Sequence, residues 1–309
     1  MNREIKLTEQ NQGFCISFSA MASPCEVLVQ TLDVNLVNTL AKSLTREVWR
    51  IEDKFSRYDA NSTCSLINKS GGKPTKIDNE TFLLLNFAAQ CFELSHGLFD
   101  ITAGVLNRAW QFDGSDNIAS QSELDELLPL VGWGKVIYQQ NSITLPKEMA
   151  LDFGGIAKEY AVDRCILLAK EASQAPVLVN LGGDLAVTGP RLKNQPWQVA
   201  IEAPKSHSLN INEIASSLTH NSEEMIVTLF DGALATSGDS KRYLYKQGRR
   251  YSHVLNPMTG WPIENAPRSI TTLAPQCIQA GMLATLALLQ GSEAESFLDE
   301  QEITHWLRV

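Results

Sequence analysis

The 309-residue chain contains no Cys-x-x-Cys pair, no internal repeat and no low-complexity tract. Its six cysteines, Cys15, Cys25, Cys64, Cys91, Cys165 and Cys277, are scattered, and Cys91 and Cys165 fall within apolar helical patterns. This argues against a disulfide framework or a thiolate metal site and predicts reduced, mostly buried thiols. No stretch reaches the roughly 18 apolar residues of a membrane-spanning helix. The polar start, Met1-Asn-Arg-Glu-Ile-Lys-Leu-Thr-Glu9, is not followed by an apolar h-region. A cytoplasmic protein is therefore expected, with no signal peptide or lipobox read here and export expected only if residues ahead of Met1 were removed. Positive charge is also scarce: 26 Lys and Arg against 35 Asp and Glu give a net charge of -9. Nonspecific nucleic-acid binding relies on clustered cations and is excluded as an expectation. An anionic ligand would have to be met by local positive groups.

What is present is an ordinary globular composition, 44% hydrophobic. A chain of this size can bury a large core as one domain over 1–309 or as two intertwined lobes. Phe14 to Phe18 and Glu26 to Gln30 alternate apolar with polar and predict two paired strands around Ala22-Ser-Pro24. From Asp33 the set Val37, Leu40, Leu44, Val48, Ile51 and Phe55 recurs every three or four residues, which predicts a long amphipathic helix ending in the polar loop Phe55 to Ser62. A second helix is expected from Asn79, read as its N-cap, to near Gly97. The turn Gly97-Leu-Phe-Asp100 precedes a further helical stretch to Trp110, and Asp100 reads equally as a helix cap. Lys135 to Tyr138 and Ser142 to Leu145 predict a hairpin. Val177 to Leu181 is continuously apolar and predicts a strand buried on both faces. Strands are expected at Trp197–Ile201, Met225–Phe230, Ser269–Leu273 and Ile303–Leu307, polar loops at Ala235–Asp239 and Tyr251–Gly260, a surface insertion at 205–224, and a small-residue helix from Cys277 to Leu289.

At the centre lies Leu151-Asp-Phe-Gly-Gly-Ile-Ala-Lys-Glu-Tyr160. A strand end with a carboxylate runs into two glycines and a helix whose first turn carries Lys158. Glycines allow close backbone approach, a helix N-terminus offers N–H donors, and lysine adds charge, so the stretch could hold a phosphate. It is neither a P-loop nor a GxGxxG fingerprint, and an ordinary strand-to-helix turn fits it as well.

Several such blocks occur in a fixed order: Met21-Ala-Ser23, Phe55-Ser-Arg-Tyr58 with Ser62 to Asn68, and Ser95-His-Gly-Leu-Phe-Asp100 with Thr102. They continue with Leu151 to Lys158 and Ala161 to Asp163, Asn180-Leu-Gly-Gly-Asp184, Thr236-Ser-Gly-Asp239, His253 to Pro257 with Thr259-Gly260, and Ala280 to Thr285. In this order, and over nearly the whole chain, the sequence resembles the ApbE-like FAD:protein FMN transferase family. The resemblance implies an α+β fold related to the tunnelling fold, with mixed or antiparallel sheets and packed helices. It implies magnesium-dependent cleavage of the FAD pyrophosphate, transfer of FMN to a Thr or Ser hydroxyl of an acceptor flavoprotein (flavinylation), and release of AMP. Two alternatives accompany it: an FAD-binding relative with impaired catalysis, and an FAD pyrophosphatase releasing FMN and AMP.

Carried onto this sequence, the resemblance implies that Met21, Tyr58, Leu98, Phe99, Asp100 and Leu255 meet the rings of FAD. Asp152 and Lys158 would contact the dinucleotide, with Lys158 the pyrophosphate partner. His253 is the expected base for the acceptor hydroxyl, since imidazole titrates near neutral pH; a structural histidine within its loop is the other reading. The remaining histidines show no metal-ligand spacing, and Asp184 and Asp239 are expected to stabilise turns. The resemblance places magnesium on the carbonyls of Gly155 and Ala284 and the hydroxyl of Thr285. Two positions depart from the family pattern. An aspartate that would ligate the metal is replaced by Gly281, and Glu159 stands where glycine is usual after the lysine, adding negative charge beside the phosphate site. Weak or FAD-dependent magnesium binding is the expectation.

Overall fold

The computed structural model describes residues 3–113, 115–202, 225–239 and 243–308. In chain order its strands are β1 (Lys6–Gln10), β2 (Gly13–Ala20), β3 (Ser23–Val29), β4 (Thr75–Lys76), β5 (Ile137–Gln139), β6 (Ser142–Thr144), β7 (Val177–Leu181) and β8 (Asp184–Val187). They continue as β9 (Trp197–Ile201), β10 (Met225–Leu229), β11 (Ala233–Gly238), β12 (Tyr243–Lys246), β13 (Arg249–Ser252), β14 (Ser269–Ala274) and β15 (His305–Arg308). The helices are α1 (Val34–Phe55), α2 (Thr63–Asn68), α3 (Asn79–Leu94), α4 (Gln121–Leu127), α5 (Ala157–Ala172), α6 (Cys277–Leu289) and α7 (Ala294–Glu300).

The fold is α+β, and the pairings of its eight-stranded sheet, β1-β2-β3-β7-β8-β11-β14-β15, are antiparallel. Alternate side chains of these strands enter two different cores. Val177, Val179, Leu181, Ala186, Ala233 and Ala235 pack under α1, α5 and α6. Leu178, Leu185, Val187 and Leu234 join Trp197, Ile201, Val227 and Leu229 of the β9-β10 hairpin on the other face. β7 is therefore covered on both sides, as its unbroken apolar run requires. A separate cluster of Val105, Leu106, Trp110, Leu124 and Leu244 consolidates the segments on either side of the sheet's long excursions.

Several expectations need correction. The β2-β3 connection is the two-residue turn Met21-Ala22, both in the left-handed region at φ 51° and 56°, so the strands are longer and the turn tighter than the alternation suggested. Two-residue hairpins with positive φ at both turn positions match the right-handed twist of the strands. The cap of α3 is Asp78, which accepts from Thr81 N at 2.9 Å, and not Asn79. The stretch before Trp110 is a 3-10 helix, Ile101–Arg108. Ala235–Gly238, expected as loop, lies in β11, because pairing with β14 supplies partners that local polarity cannot reveal. The exposed strand β1 has no apolar periodicity to announce it. All six cysteines are buried and unpaired with one another. The expected insertion at 205–224 lies outside the described residues.

Helices α1, α3 and α5 are tied at Glu80. Its carboxylate accepts from Arg50 Nη2 at 2.6 Å, from Tyr160 Oη at 2.8 Å and from Lys54 Nζ. Burial pushes the Glu80 carboxyl up, but the hydrogen bonds from Arg50, Lys54 and Tyr160 outweigh it and lower it to about 2. A carboxylate held below its unfolded value of about 4.3 contributes stability that is complete above that pH and is lost as pH falls toward the folded value. The gap in urea midpoint between the wild type and Glu80→Gln is therefore expected to be widest at neutral pH. It should close as pH drops from about 4.3 toward 2.

Candidate active site

The central stretch turns from the end of an extended segment into α5. Leu151 and Phe153 are buried while Asp152, between them, faces outward. Asp152 Oδ1 accepts from Gly154 N at 2.9 Å, and Oδ2 lies 3.3 Å from both Asn107 Nδ2 and Arg57 Nε. Glycines make this fit possible: a Cβ on Gly104 would fall 2.9 Å from Asp152 Cβ, and one on Gly154 would fall 3.0 Å from its Oδ1. Gly155 follows on the surface, with the edge of the Phe99 ring 3.5 Å from where its Cβ would be.

In the first turn of α5, Lys158 Nζ sits 2.7 Å from Asp184 Oδ2. Asp184 opens β8 just after the Gly182-Gly183 turn and is 1% exposed. Its other oxygen accepts from Thr236 N of β11 at 3.0 Å. Asp184 thus links a helix to a neighbouring strand, and the expectation that it only stabilises its own turn is corrected. Burial works against the Lys158 charge, but the negative charges of Asp184 and Glu159 prevail and raise its affinity for the proton. Asp239 likewise serves long-range partners, Arg250 Nε at 2.7 Å and Arg268 Nε at 2.8 Å.

Glu159 points the opposite way from solvent. It is 8% exposed, and its Oε2 is buried with no hydrogen-bond partner. Burial first, and then the Asp184 charge, push its carboxyl up, against the pull of Lys158. A buried polar atom without a partner costs about 1–3 kcal/mol, more when charged, so such atoms are rare and call for an explanation. The side chain lies against α6: a Cβ on Gly281 would be 2.6 Å from Glu159 Cγ and 3.0 Å from its Oε1. One turn further along α6, and so on the same face, Thr285 Oγ1 is 2.6 Å from Ser237 Oγ of β11. The start of α6 is held from α5 as well, since Asp163 accepts from Cys277 N at 2.8 Å and Ile278 N at 2.9 Å. Lys158, Glu159, Asp184, Ser237, Gly281 and Thr285 thus line one junction of α5, α6 and the sheet.

The chain belongs to the ApbE family, whose sequence profile matches residues 21–307. It is 29% identical over 261 residues to the FAD:protein FMN transferase of Vibrio cholerae serotype O1, covering 82% of this chain and 74% of that one. The FAD:protein FMN transferase of Haemophilus influenzae is 26% identical over 298 residues, covering 92% and 83%. The crystal structure of the ApbE protein from Thermotoga maritima superposes with a TM-score of 0.82 at 26% identity, covering 98% of this chain and 94% of that one. The flavin transferase ApbE from Vibrio cholerae shares the fold, with a TM-score of 0.81 at 24% identity and the same coverage.

The other residues singled out from the sequence of this ApbE family member fall at varied distances from the junction. Met21 sits at the β2-β3 turn, its backbone N donating to Glu52 Oε1 at 2.6 Å. Tyr58 is 80% exposed, with the Arg57 guanidinium 4.6 Å from its ring centroid. Both oxygens of Asp100 serve the backbone: Oδ1 caps the 3-10 helix through Thr102 N at 2.7 Å, and Oδ2 accepts from Trp133 N at 2.9 Å. Asp100 thus caps the 3-10 helix and also braces the turn at Trp133. Leu98 and Phe99 pack on the main core, and Leu255 on the cluster around Trp110. His253 lies edge-on to Phe112, with centroids 6.2 Å apart. Its loop is braced by Trp110 Nε1 donating to Gly260 O at 2.8 Å, and the Met258 methyl lies 3.6 Å from the Cβ position of Gly97. Of the three carbonyl and hydroxyl positions expected around a metal, Thr285 faces the junction and Gly155 lies in the turn before α5. Ala284 precedes Thr285 in α6, and its side chain is buried in the cluster with Ile270, Ala287 and Leu288. Sequence reading missed Ser237 and the partnership of Lys158 with Asp184, although both lie in blocks it had marked.

Proposed function

We propose that the protein is an FAD:protein FMN transferase, cleaving FAD at the pyrophosphate, attaching FMN to a Thr or Ser hydroxyl of an acceptor flavoprotein and releasing AMP. The observation that carries the reading is the junction at Lys158, built from family blocks in a chain whose curated relatives bear that name. In this reading Asp184 orients the Lys158 ammonium, which neutralises charge on the pyrophosphate oxygens as the bond breaks. Met21, Tyr58, Leu98 and Phe99 offer thioether, aromatic and apolar surface to the flavin and adenine rings. Asp152, oriented by Arg57 and Gly154, supplies a polar contact to the dinucleotide. His253 takes the proton of the acceptor hydroxyl.

The residues at the junction fit a divalent cation. Two hydroxyls 2.6 Å apart and a buried carboxylate oxygen without a donor form an oxygen-rich wall. Oxygen donors with few carboxylates suit magnesium, which commonly shares its shell with substrate phosphates. Ser237, Thr285 and the Gly155 carbonyl would hold it, and once bound it would polarise the phosphoryl oxygens.

The experiment is incubation of the chain with FAD, magnesium chloride and an acceptor flavoprotein domain carrying its Thr or Ser site. Covalently fluorescent acceptor with an equal yield of AMP is the expected result. Free FMN with AMP would make the protein a pyrophosphatase, and intact bound FAD would make it a binding relative.

A further inference from the structure

We infer that the Glu159 carboxylate is the acidic ligand of the divalent cation at this junction, reaching from α5 into the volume that a side chain at position 281 of α6 would otherwise fill. The assignment rests on the transferase reading above, because it needs a cation at that place.

The first observation is steric. With a Cβ at position 281 only 2.6 Å from Glu159 Cγ and 3.0 Å from Oε1, an aspartate at 281 and the present Glu159 conformation exclude each other. The two departures from the family pattern are then one exchange. A carboxylate has moved from one helix to its neighbour, and the glycine has moved the other way. The longer glutamate side chain suits this, since it must cross the gap between α5 and α6 that an aspartate on α6 would not.

The second observation is the unpartnered Oε2 of a side chain more than nine-tenths buried. Burying a carboxylate oxygen with no donor is unfavourable unless a cation or another donor meets it. The neighbouring charges do not remove the need. Lys158 is engaged by Asp184 at 2.7 Å. Asp184 lies within hydrogen-bond reach of Glu159, but two carboxylates can bond each other only by sharing a proton, so with both charged a cation is what would meet them. The other titratable neighbour on α6, Cys277, is a buried thiol.

The third observation is the company Glu159 keeps. Thr285 stands one turn beyond Gly281 on the same face, and its hydroxyl is 2.6 Å from that of Ser237. Among the described residues no group of three or more His, Cys, Asp or Glu side chains could hold a metal by itself. A site with one carboxylate and hydroxyl oxygens would take its remaining oxygens from FAD phosphates and water, which is the mode magnesium favours.

The test is titration of Mn2+ into the full chain saturated with FAD, following free Mn2+ by electron paramagnetic resonance, with FAD affinity measured separately in EDTA. Glu159→Gln preserves shape and is expected to weaken Mn2+ binding about tenfold or more, with FAD affinity in EDTA held within about twofold. Glu159→Gly should lose Mn2+ binding to at least the same degree, and the double exchange Glu159→Gly with Gly281→Asp should restore it. Unchanged Mn2+ affinity in folded Glu159→Gln, against a wild type that binds, overturns the assignment and leaves the transferase reading standing. A wild type that binds FAD but no Mn2+ overturns the cation site itself, and the assignment with it.

Discussion

Asp184→Ala is expected to lower the free energy of unfolding by about 2–4 kcal/mol, less than the full cost of breaking a buried ion pair because the Lys158 side chain keeps 27% of its surface exposed. Asp184 is 1% exposed and meets two partners at once, the Lys158 ammonium at 2.7 Å and Thr236 N at 3.0 Å. Its loss strands a backbone donor and leaves Lys158 with Glu159 as its nearest negative neighbour. The lysine would then turn toward α6, and FAD affinity should fall together with stability. Asp184→Asn retains an acceptor for Thr236 while removing the charge, so its unfolding free energy should lie between those of the wild type and the alanine variant. Urea unfolding of the three proteins checks this. A loss below about 1 kcal/mol in the alanine variant would place the pair with solvent-screened surface bridges and remove the argument for a buried strut.

His253→Ala is expected to slow FMN transfer by about 10²- to 10⁴-fold, the range for loss of a positioned general base. The loop that carries it is braced at several points. Asn256 N donates to Trp261 O at 2.8 Å, Ile263 N to Val254 O at 3.0 Å, and Trp110 Nε1 to Gly260 O at 2.8 Å. Phe112 adds an edge-on aromatic contact to the ring itself. A base held this way loses little freedom on binding an acceptor. Single-turnover transfer at saturating FAD, normalised to folded protein, separates the roles. If the variant is less stable but each folded molecule transfers FMN at the wild-type rate, His253 is a structural residue of its loop.

Much of the architecture was legible in the chain itself. The three- and four-residue recurrence from Val37 to Phe55 located α1, because a helix burying one face must repeat its apolar residues at that period. The unbroken apolar run at Val177 to Leu181 announced a strand covered on both faces, and two separate cores do cover it. The central strand ends, the β9 limits and the small-residue helix α6 were legible for similar reasons. Strand β11 was less so, since what makes it a strand is pairing with β14 and β8, tens of residues away. Asp100 shows the same limit at a single residue: a cap on the helix that follows can be read from local order, but its second partner, Trp133 N, is brought in by the fold from a separate segment.

The sequence by itself determined the α+β class, the membership of the chain in its family through eight ordered blocks, and the identity of Gly281 and Glu159 as its two departures. Those are matters of residue type and local order. Only the tertiary structure decided that the departures belong together. Positions 159 and 281 are far apart along the chain, and no periodicity or spacing connects them. Packing α5 against α6 brings the glutamate side chain over the glycine. Two side chains cannot occupy one volume, so what reads in the chain as a missing carboxylate and an extra one is, in the folded molecule, a single carboxylate arriving from the neighbouring helix.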